Sequence, residues 1–202
     1  MISASDVLDV LPVVHPADHI LGPEQGQWTY TDYAAVPNDG HRYEVIEGVL
    51  YMAPAPGSAH QSANNLLQTY LTIHVQFTGL GRVFGPPFDV ELAPGTVVQP
   101  DVTVVLAPNL GVVTPRGIVG APDLVVEIAS PGTATHDRST KLHAYSGAGI
   151  REYWIADPHA YTVELLVLEH GSYRAAGVFQ GKALLPSTVV PGLPVRVEQF
   201  FA

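Results

Sequence analysis

The run Leu124-Val125-Val126-Glu127-Ile128 constrains the fold more than any other stretch of the chain. A strand-forming run with no polar alternation predicts burial on both faces, the position of a central strand in a mixed sheet. Its fourth residue is nevertheless a glutamate. An ionised carboxylate there is costly unless a cation or hydrogen-bond donors meet it. The fold must therefore bring something to Glu127.

The other predicted elements arrange themselves around that strand. Residues 1–27 read as an N-terminal arm and 28–202 as a single domain. A short helix is predicted over 30–35, then two strands, 43–47 and 49–52, turning at Gly48. Ser58 is placed to cap a long helix over 59–78, with Leu67, Leu71 and Val75 at helical spacing. Strands follow at 82–84, 88–92 and 102–106, with a Pro- and Gly-rich loop over 107–120. A helix over 133–148 stops at Gly149. Further strands fall at 152–156, 162–168 and 173–179, and the tail holds short β-like pieces between prolines. The sum is an α/β chain with α+β character: a central mixed β-sheet flanked by helices.

Composition narrows the function. A length of 202 residues suits one domain, and without cysteine there is no disulfide, thiolate nucleophile or Cys-based metal site. No apolar run approaches the ~20 residues of a membrane span. The start of the chain lacks Lys and Arg and carries Asp6 and Asp9, which argues against a signal peptide. The chain reads as cytoplasmic, with no membrane partner. Nine Lys+Arg against nineteen Asp+Glu give a net charge of −10, which disfavours tight, sequence-independent binding of polyanions. The phosphate-loop, dinucleotide-fingerprint, H-E-x-x-H and G-x-S-x-G motifs are all absent.

Five residues remain as candidates for chemistry. Asp101 opens the 102–106 strand, and with Glu127 on a neighbouring strand it would make a hard-oxygen site suited to Mg²⁺ or Mn²⁺. The plainer alternative has Asp101 capping a turn after Pro100 and Glu127 paired with an arginine. Asp123 shares a face with Glu127 but sits at the strand entry, where aspartate commonly forms turns; it ranks below Asp101. Lys141, one of only two lysines, lies in the helix after Glu127. It is either a surface i,i+4 partner of Asp137 or a cation for phosphate charge. Glu44 and His60 each carry little alone: one could face solvent from a strand, the other cap a helix.

Taken together these segments resemble the Uma2 family of the PD-(D/E)XK nuclease superfamily. The likeness is carried by Arg42-Tyr43-Glu44-Val45-Ile46-Glu47-Gly48, Ala59-His60-Gln61, Gln99-Pro100-Asp101-Val102 and the run from Pro122 to Pro131. Lys141, Tyr145 and the run from Gly149 to Pro158 continue it, over roughly residues 28–170. The resemblance implies a restriction-endonuclease-like core, with Asp101, Glu127 and the Ile128 carbonyl binding the metal. The superfamily usually sets its lysine two residues after the acid. Ala129 stands there, and the resemblance implies that Lys141 replaces it from the next helix, with Glu44 and His60 at the rim.

The implied activity is metal-dependent endonucleolytic hydrolysis of phosphodiester bonds, with Mg²⁺ or Mn²⁺ as cofactor and nucleic acid, DNA first, as partner. A homodimer would supply the two sites that two-strand cutting needs. Two rivals stand beside it. One is a catalytically silent module on the same fold. The other is a glycosidase using Glu44 and Glu127, disfavoured by an aromatic content of only 8%.

Overall fold

The computed structural model describes residues 13–202. Residues 1–12 of the expected arm, including Asp6 and Asp9, lie outside the described residues. The remainder of the arm is held by the domain: β1 (His15–Pro16) pairs with Met52 and Tyr51, and Ala17 and Trp28 are buried.

Helix α1 (Tyr30–Ala34) starts in a capping box, with Thr29 and Asp32 satisfying each other's backbone N–H groups. Strands β2 (Arg42–Ile46) and β3 (Val49–Ala53) form a hairpin. Its two-residue turn, Glu47-Gly48, has positive φ at both positions, 52° and 74°, the geometry that matches strand twist. A Cβ on Gly48 would also meet the Gly26 carbonyl oxygen at 2.3 Å, so glycine is required twice over.

Helix α2 (Ser58–Leu71) begins one residue after Gly57, which is the N-cap; Ser58 is the first helical residue rather than the predicted cap. The expected single helix over 59–78 leaves α-geometry at Leu71 and continues as a π-helical turn, Thr72–Gln76. Strands β4 (Gly81–Phe84), β5 (Val90–Ala93), β6 (Thr96–Val98) and β7 (Val102–Leu106) follow. The predicted loop over 107–120 holds a 3₁₀ turn, Ala107–Val112, and two short strands, β8 (Val113–Thr114) and β9 (Gly117–Val119). Strand β10 (Leu124–Ile128) is buried at every position.

The predicted helix over 133–148 comprises α3 (Ala134–His136), a π-helical turn (Asp137–Lys141) and α4 (Leu142–Ala148). It ends at Gly149 in the left-handed conformation, a common C-terminal stop. Strands β11 (Glu152–Asp157), β12 (Thr162–Glu169) and β13 (Ser172–Gln180) come next, and a 3₁₀ turn, Val197–Phe200, closes the chain.

The expected central mixed sheet forms, and a second sheet, not expected, packs on it. The six-stranded sheet has the order β13-β12-β11-β10-β7-β4, with β10 and β11 parallel. The seven-stranded sheet has the order β1-β3-β2-β6-β5-β9-β8. The first sheet is covered on one face by α2 and the C-terminal tail, through Leu67, Leu71, Val189 and Phe200. Its other face meets the second sheet and α4, through Ile46, Val90, Ile118 and Tyr145. Strand β10 therefore lies in the middle of the protein, as its unbroken apolar run requires.

Candidate active site

Alternation along β10 sets the direction of Glu127. Leu124, Val126 and Ile128 pack toward α2, whereas Val125 packs with Ile46, Val90 and Tyr145 on the opposite face. Glu127 shares the Val125 face and points to α4 and the second sheet. Lys141 meets it there, Nζ lying 2.9 Å from Oε1, and Tyr145 donates to the same oxygen at 2.5 Å. Asp137, Lys141 and Tyr145 are spaced by four, so one face of the helical segment delivers all three.

Lys141 also lies 3.0 Å from Glu44 Oε2 on β2. The other oxygen of Glu44 accepts the Gln99 N–H at 2.7 Å. Asp101 Oδ2 accepts the Ile128 N–H at 2.9 Å and lies 3.1 Å from His60 Nε2, at the start of α2. Arg42, two residues before Glu44 and on its face of β2, donates to the Gln99 carbonyl at 3.0 Å and stands 3.9 Å from Asp101 Oδ1.

The five candidate residues thus come together from five parts of the chain, and all are buried. Glu44 and His60 are drawn into the constellation by their partners: Glu44 meets Lys141 and His60 meets Asp101. Lys141 is not a surface partner of Asp137: both are buried. Glu127 pairs with a lysine and Asp101 with a histidine, not with the arginine and turn of the plainer alternative. Asp123 belongs elsewhere. It accepts from Leu106 N and Asn109 Nδ2, both at 2.7 Å, and staples the end of β7.

These groups line a cavity of about 40 Å³ together with His136, Asp137, Ser130 and Thr133. That is room for an ion and a few waters. Four of the five buried side-chain atoms without a hydrogen-bond partner among the described residues belong to this lining: Arg42 Nε, His60 Nδ1, His136 Nε2 and Asp137 Oδ2. Buried polar groups are normally satisfied, so a concentration of exceptions marks a place for something other than protein.

Burial pushes the Glu127 carboxyl well above its ordinary range; Lys141 opposes this, while Asp101, Asp137 and Glu44 add to it. Burial also pushes up Glu44 and Asp101, but their partners win. Lys141 and Arg42 hold Glu44 below its ordinary value, and His60, Arg42 and the Ile128 N–H do the same for Asp101. For Lys141, burial is outweighed by Glu127, Glu44 and Asp137, and its ammonium form is held more firmly than usual. Burial raises Asp137 to about 6 and, with Lys141, lowers His136 to about 4.

The donor set fits a divalent cation. Among the described residues, Glu127 Oε2 accepts no hydrogen bond, and Asp101 Oδ1 has only the distant Arg42. In a strand a residue's N–H and C=O point the same way. The Ile128 carbonyl therefore faces the gap that its N–H bridges to Asp101. Continuing the β10–β7 register, in which Val126 faces Val102, sets Pro100 opposite Ile128, and proline has no N–H to donate. Among the described residues no three His, Asp or Glu side chains gather into a cage for an ion. An ion here would take two carboxylates, one carbonyl and water, the sparse protein coordination usual for Mg²⁺.

Arg42, Gln99, His136, Asp137 and Tyr145 were not singled out as site residues by the sequence. The i, i+4, i+8 spacing of Asp137, Lys141 and Tyr145 was the available signal for two of them. Arg42 and Gln99 lie within segments that carry the family likeness; nothing local marked His136.

No curated protein matches the chain. Its fold is similar to the crystal structure of a "putative nuclease belonging to DUF820" from Anabaena variabilis, with a TM-score of 0.72 and 20% identity over 86% of this chain and 97% of that one. No helix among the described residues is long and apolar enough to cross a membrane. The model of the Uma2 family, described as "Putative restriction endonuclease", matches residues 30–198, and the chain belongs to that family.

Proposed function

We propose that this chain is a divalent-metal-dependent endonuclease that hydrolyses phosphodiester bonds in DNA. The observation that carries this reading is the convergence of Asp101, Glu127 and Lys141, from three separate elements, on one cavity of unsatisfied polar groups. Mg²⁺ or Mn²⁺, held by Asp101, Glu127 and the Ile128 carbonyl, would supply Lewis acidity to phosphate and water. Lys141 holds a positive charge beside that point, where charge develops on the phosphate in the transition state. Glu44 fixes Lys141 from the far side. His60 and the Ile128 N–H fix Asp101 Oδ2 and leave Oδ1 turned to the cavity.

The charge of −10 bears on substrate capture more than on the chemical step. Lys141 is consumed by two carboxylates and adds little attraction at range, so affinity for DNA without metal is weak and salt-insensitive. Cutting both strands would take two copies of the site, which a homodimer supplies.

A catalytically silent binding module is the second reading. It is favoured by the lack of a three-ligand cage among the described residues and by the lysine already lying on both glutamates. One experiment separates the two: supercoiled plasmid and single-stranded DNA are incubated with Mg²⁺, Mn²⁺ or EDTA. Wild type runs beside Asp101→Asn, with each fold checked by circular dichroism. Metal-dependent cleavage lost in the folded variant is the expected result. No cleavage by wild type, together with no metal-induced rise in Tm, would establish the silent module.

A further inference from the structure

A second cavity, of about 440 Å³, adjoins the first and shares Pro54, Ala55, His60 and Ser130 with it. Its volume lies within the usual range for ligand pockets, about 300–1,000 Å³. It opens beyond the carboxyl ends of β10 and β11, the only parallel pair in the six-stranded sheet, where residues 129–132 and Pro158-His159 form its floor. Crevices outside the carboxyl ends of parallel strands are recurrent ligand sites.

Its chemistry differs from that of its neighbour. The lining contains no Lys, Arg, Asp or Glu. Pro54, Pro131 and Pro158 supply apolar ring surface, and the exposed His159 adds an aromatic ring. One wall is the first turn of α2, where Gly57 makes no side-chain cap and no acid is present, so the N–H groups and the positive helix end face a ligand unopposed. His60 stands in that turn, nine-tenths buried, and its Nδ1 has no partner among the described residues. A largely apolar cavity of this volume, without charged side chains and with backbone donors on one wall, suits a nucleobase and its sugar. With no carboxylate in its lining it does not suit a metal ion.

We infer that this cavity receives the base of an unpaired nucleotide adjoining the scissile phosphate, which makes the substrate a single strand or a duplex from which one base is swung out. This rests on the nuclease reading for its substrate class and adds a specificity that the catalytic cavity cannot supply. A base lodged in this cavity cannot also be stacked in a helix, so a base-paired strand fits only after unstacking.

The test uses the full chain and 20-nucleotide single strands in which one abasic residue is moved along the sequence. Cleavage with Mn²⁺ is read as kcat/KM, and binding of the same strands with Ca²⁺ is read by fluorescence anisotropy. Wild type is compared with Ala59→Trp and Ala55→Trp, both at exposed positions that fill the cavity, with folding checked by circular dichroism. Wild type should lose about tenfold in kcat/KM or affinity when the base is missing at one position, a typical worth of one stacked base. Either tryptophan variant should treat intact and abasic strands alike. Equal handling of intact and abasic strands by wild type at every position overturns the inference while leaving cleavage itself intact. So does an unpaired-base preference that both folded tryptophan variants retain. If wild type cleaves nothing, the nuclease reading fails, and the anisotropy arm still decides the pocket by the same comparison.

Discussion

Lys141 Nζ lies 2.9 Å from Glu127 Oε1, both groups buried, and a second carboxylate, Glu44, meets the same ammonium at 3.0 Å. One lysine thus meets two acids whose ionised forms burial disfavours; it holds Glu44 below its ordinary range and opposes, without overcoming, the rise of Glu127. Removing it leaves an uncompensated charge, which in buried pairs costs about 3–5 kcal/mol. Lys141→Met should therefore lower the unfolding free energy by about that amount in urea titrations at pH 7.5 with EDTA. Adding Glu44→Gln to Lys141→Met should recover part of the loss, although Glu44→Gln alone destabilises. A Lys141→Met protein as stable as wild type would show that the ammonium contributes nothing net to folding. Lys141→Arg keeps the charge without the geometry and should retain stability but lose cleavage.

Asp101 leans on His60 in a comparable way. Burial alone would raise its carboxyl; His60, Arg42 and the Ile128 N–H more than compensate and hold it below the ordinary range. A depressed carboxyl contributes stability above its unfolded value of about 3.9, and that contribution disappears as pH falls through the folded value. His60→Ala should cost about 2 kcal/mol at pH 7, the worth of a hydrogen bond to a charged group. The difference from wild type should shrink as pH falls below 4. Urea unfolding of both proteins at pH 7 and pH 3.5 measures it, and a pH-independent difference would mean that His60 acts by packing alone.

How far the sequence could carry these relationships differs residue by residue. Glu127 announced itself because an acid interrupts an apolar run, and Lys141 because lysine is rare in this chain. Asp137 did not, since i,i+4 spacing fits a surface pair as well as a buried one, and only the packing of α4 on the second sheet decides. That second sheet was itself hidden. Strands β8 and β9 have two and three residues, too few for a period of two to register, and they join β5 by a parallel pairing no local pattern encodes. The inward place of Glu44 and His60 likewise depends on tertiary packing, of β2 in the second sheet and of α2 on the first.

Glu152 makes a contrast with the site acids. It is fully buried and takes five donors: Ser187 Oγ at 2.6 Å, Thr188 N at 2.6 Å, Thr188 Oγ1 at 2.7 Å, Val189 N at 3.1 Å and Trp154 Nε1 at 3.2 Å. Every oxygen is satisfied, so nothing is left for a ligand. Its work is to tie the tail at 187–190 to the start of β11. Glu152→Ala leaves those donors orphaned in the interior and should destabilise by about 3 kcal/mol or more. Hydrogen exchange should show the loss first at Thr188–Val190. Metal affinity of the folded protein should not change, and a calorimetric titration checks that.

Asp137 and His136 are neighbours in the chain whose titrations oppose each other. Asp137 is raised by burial to about 6, so between its unfolded value near 4 and 6 the native protein holds the extra proton and stability falls as pH rises. His136 is lowered by burial and Lys141 to about 4, so between 4 and its unfolded value near 6.5 the unfolded chain holds the extra proton and stability rises with pH. In wild type the two slopes largely cancel. Asp137→Asn removes one and keeps the shape of the side chain. Relative to wild type in EDTA, it should gain little at pH 4 and about 3 kcal/mol by pH 7, the free energy of a shift of about two pH units. His136→Gln should show a gain of the opposite kind, largest at pH 4 and vanishing near neutrality. Urea titrations at half-unit intervals from pH 4 to pH 7.5 measure both differences, in which the other titrating groups drop out. If Asp137→Asn parallels wild type across that range, burial does not raise Asp137, and its carboxylate is already ionised at the acid end of the titration.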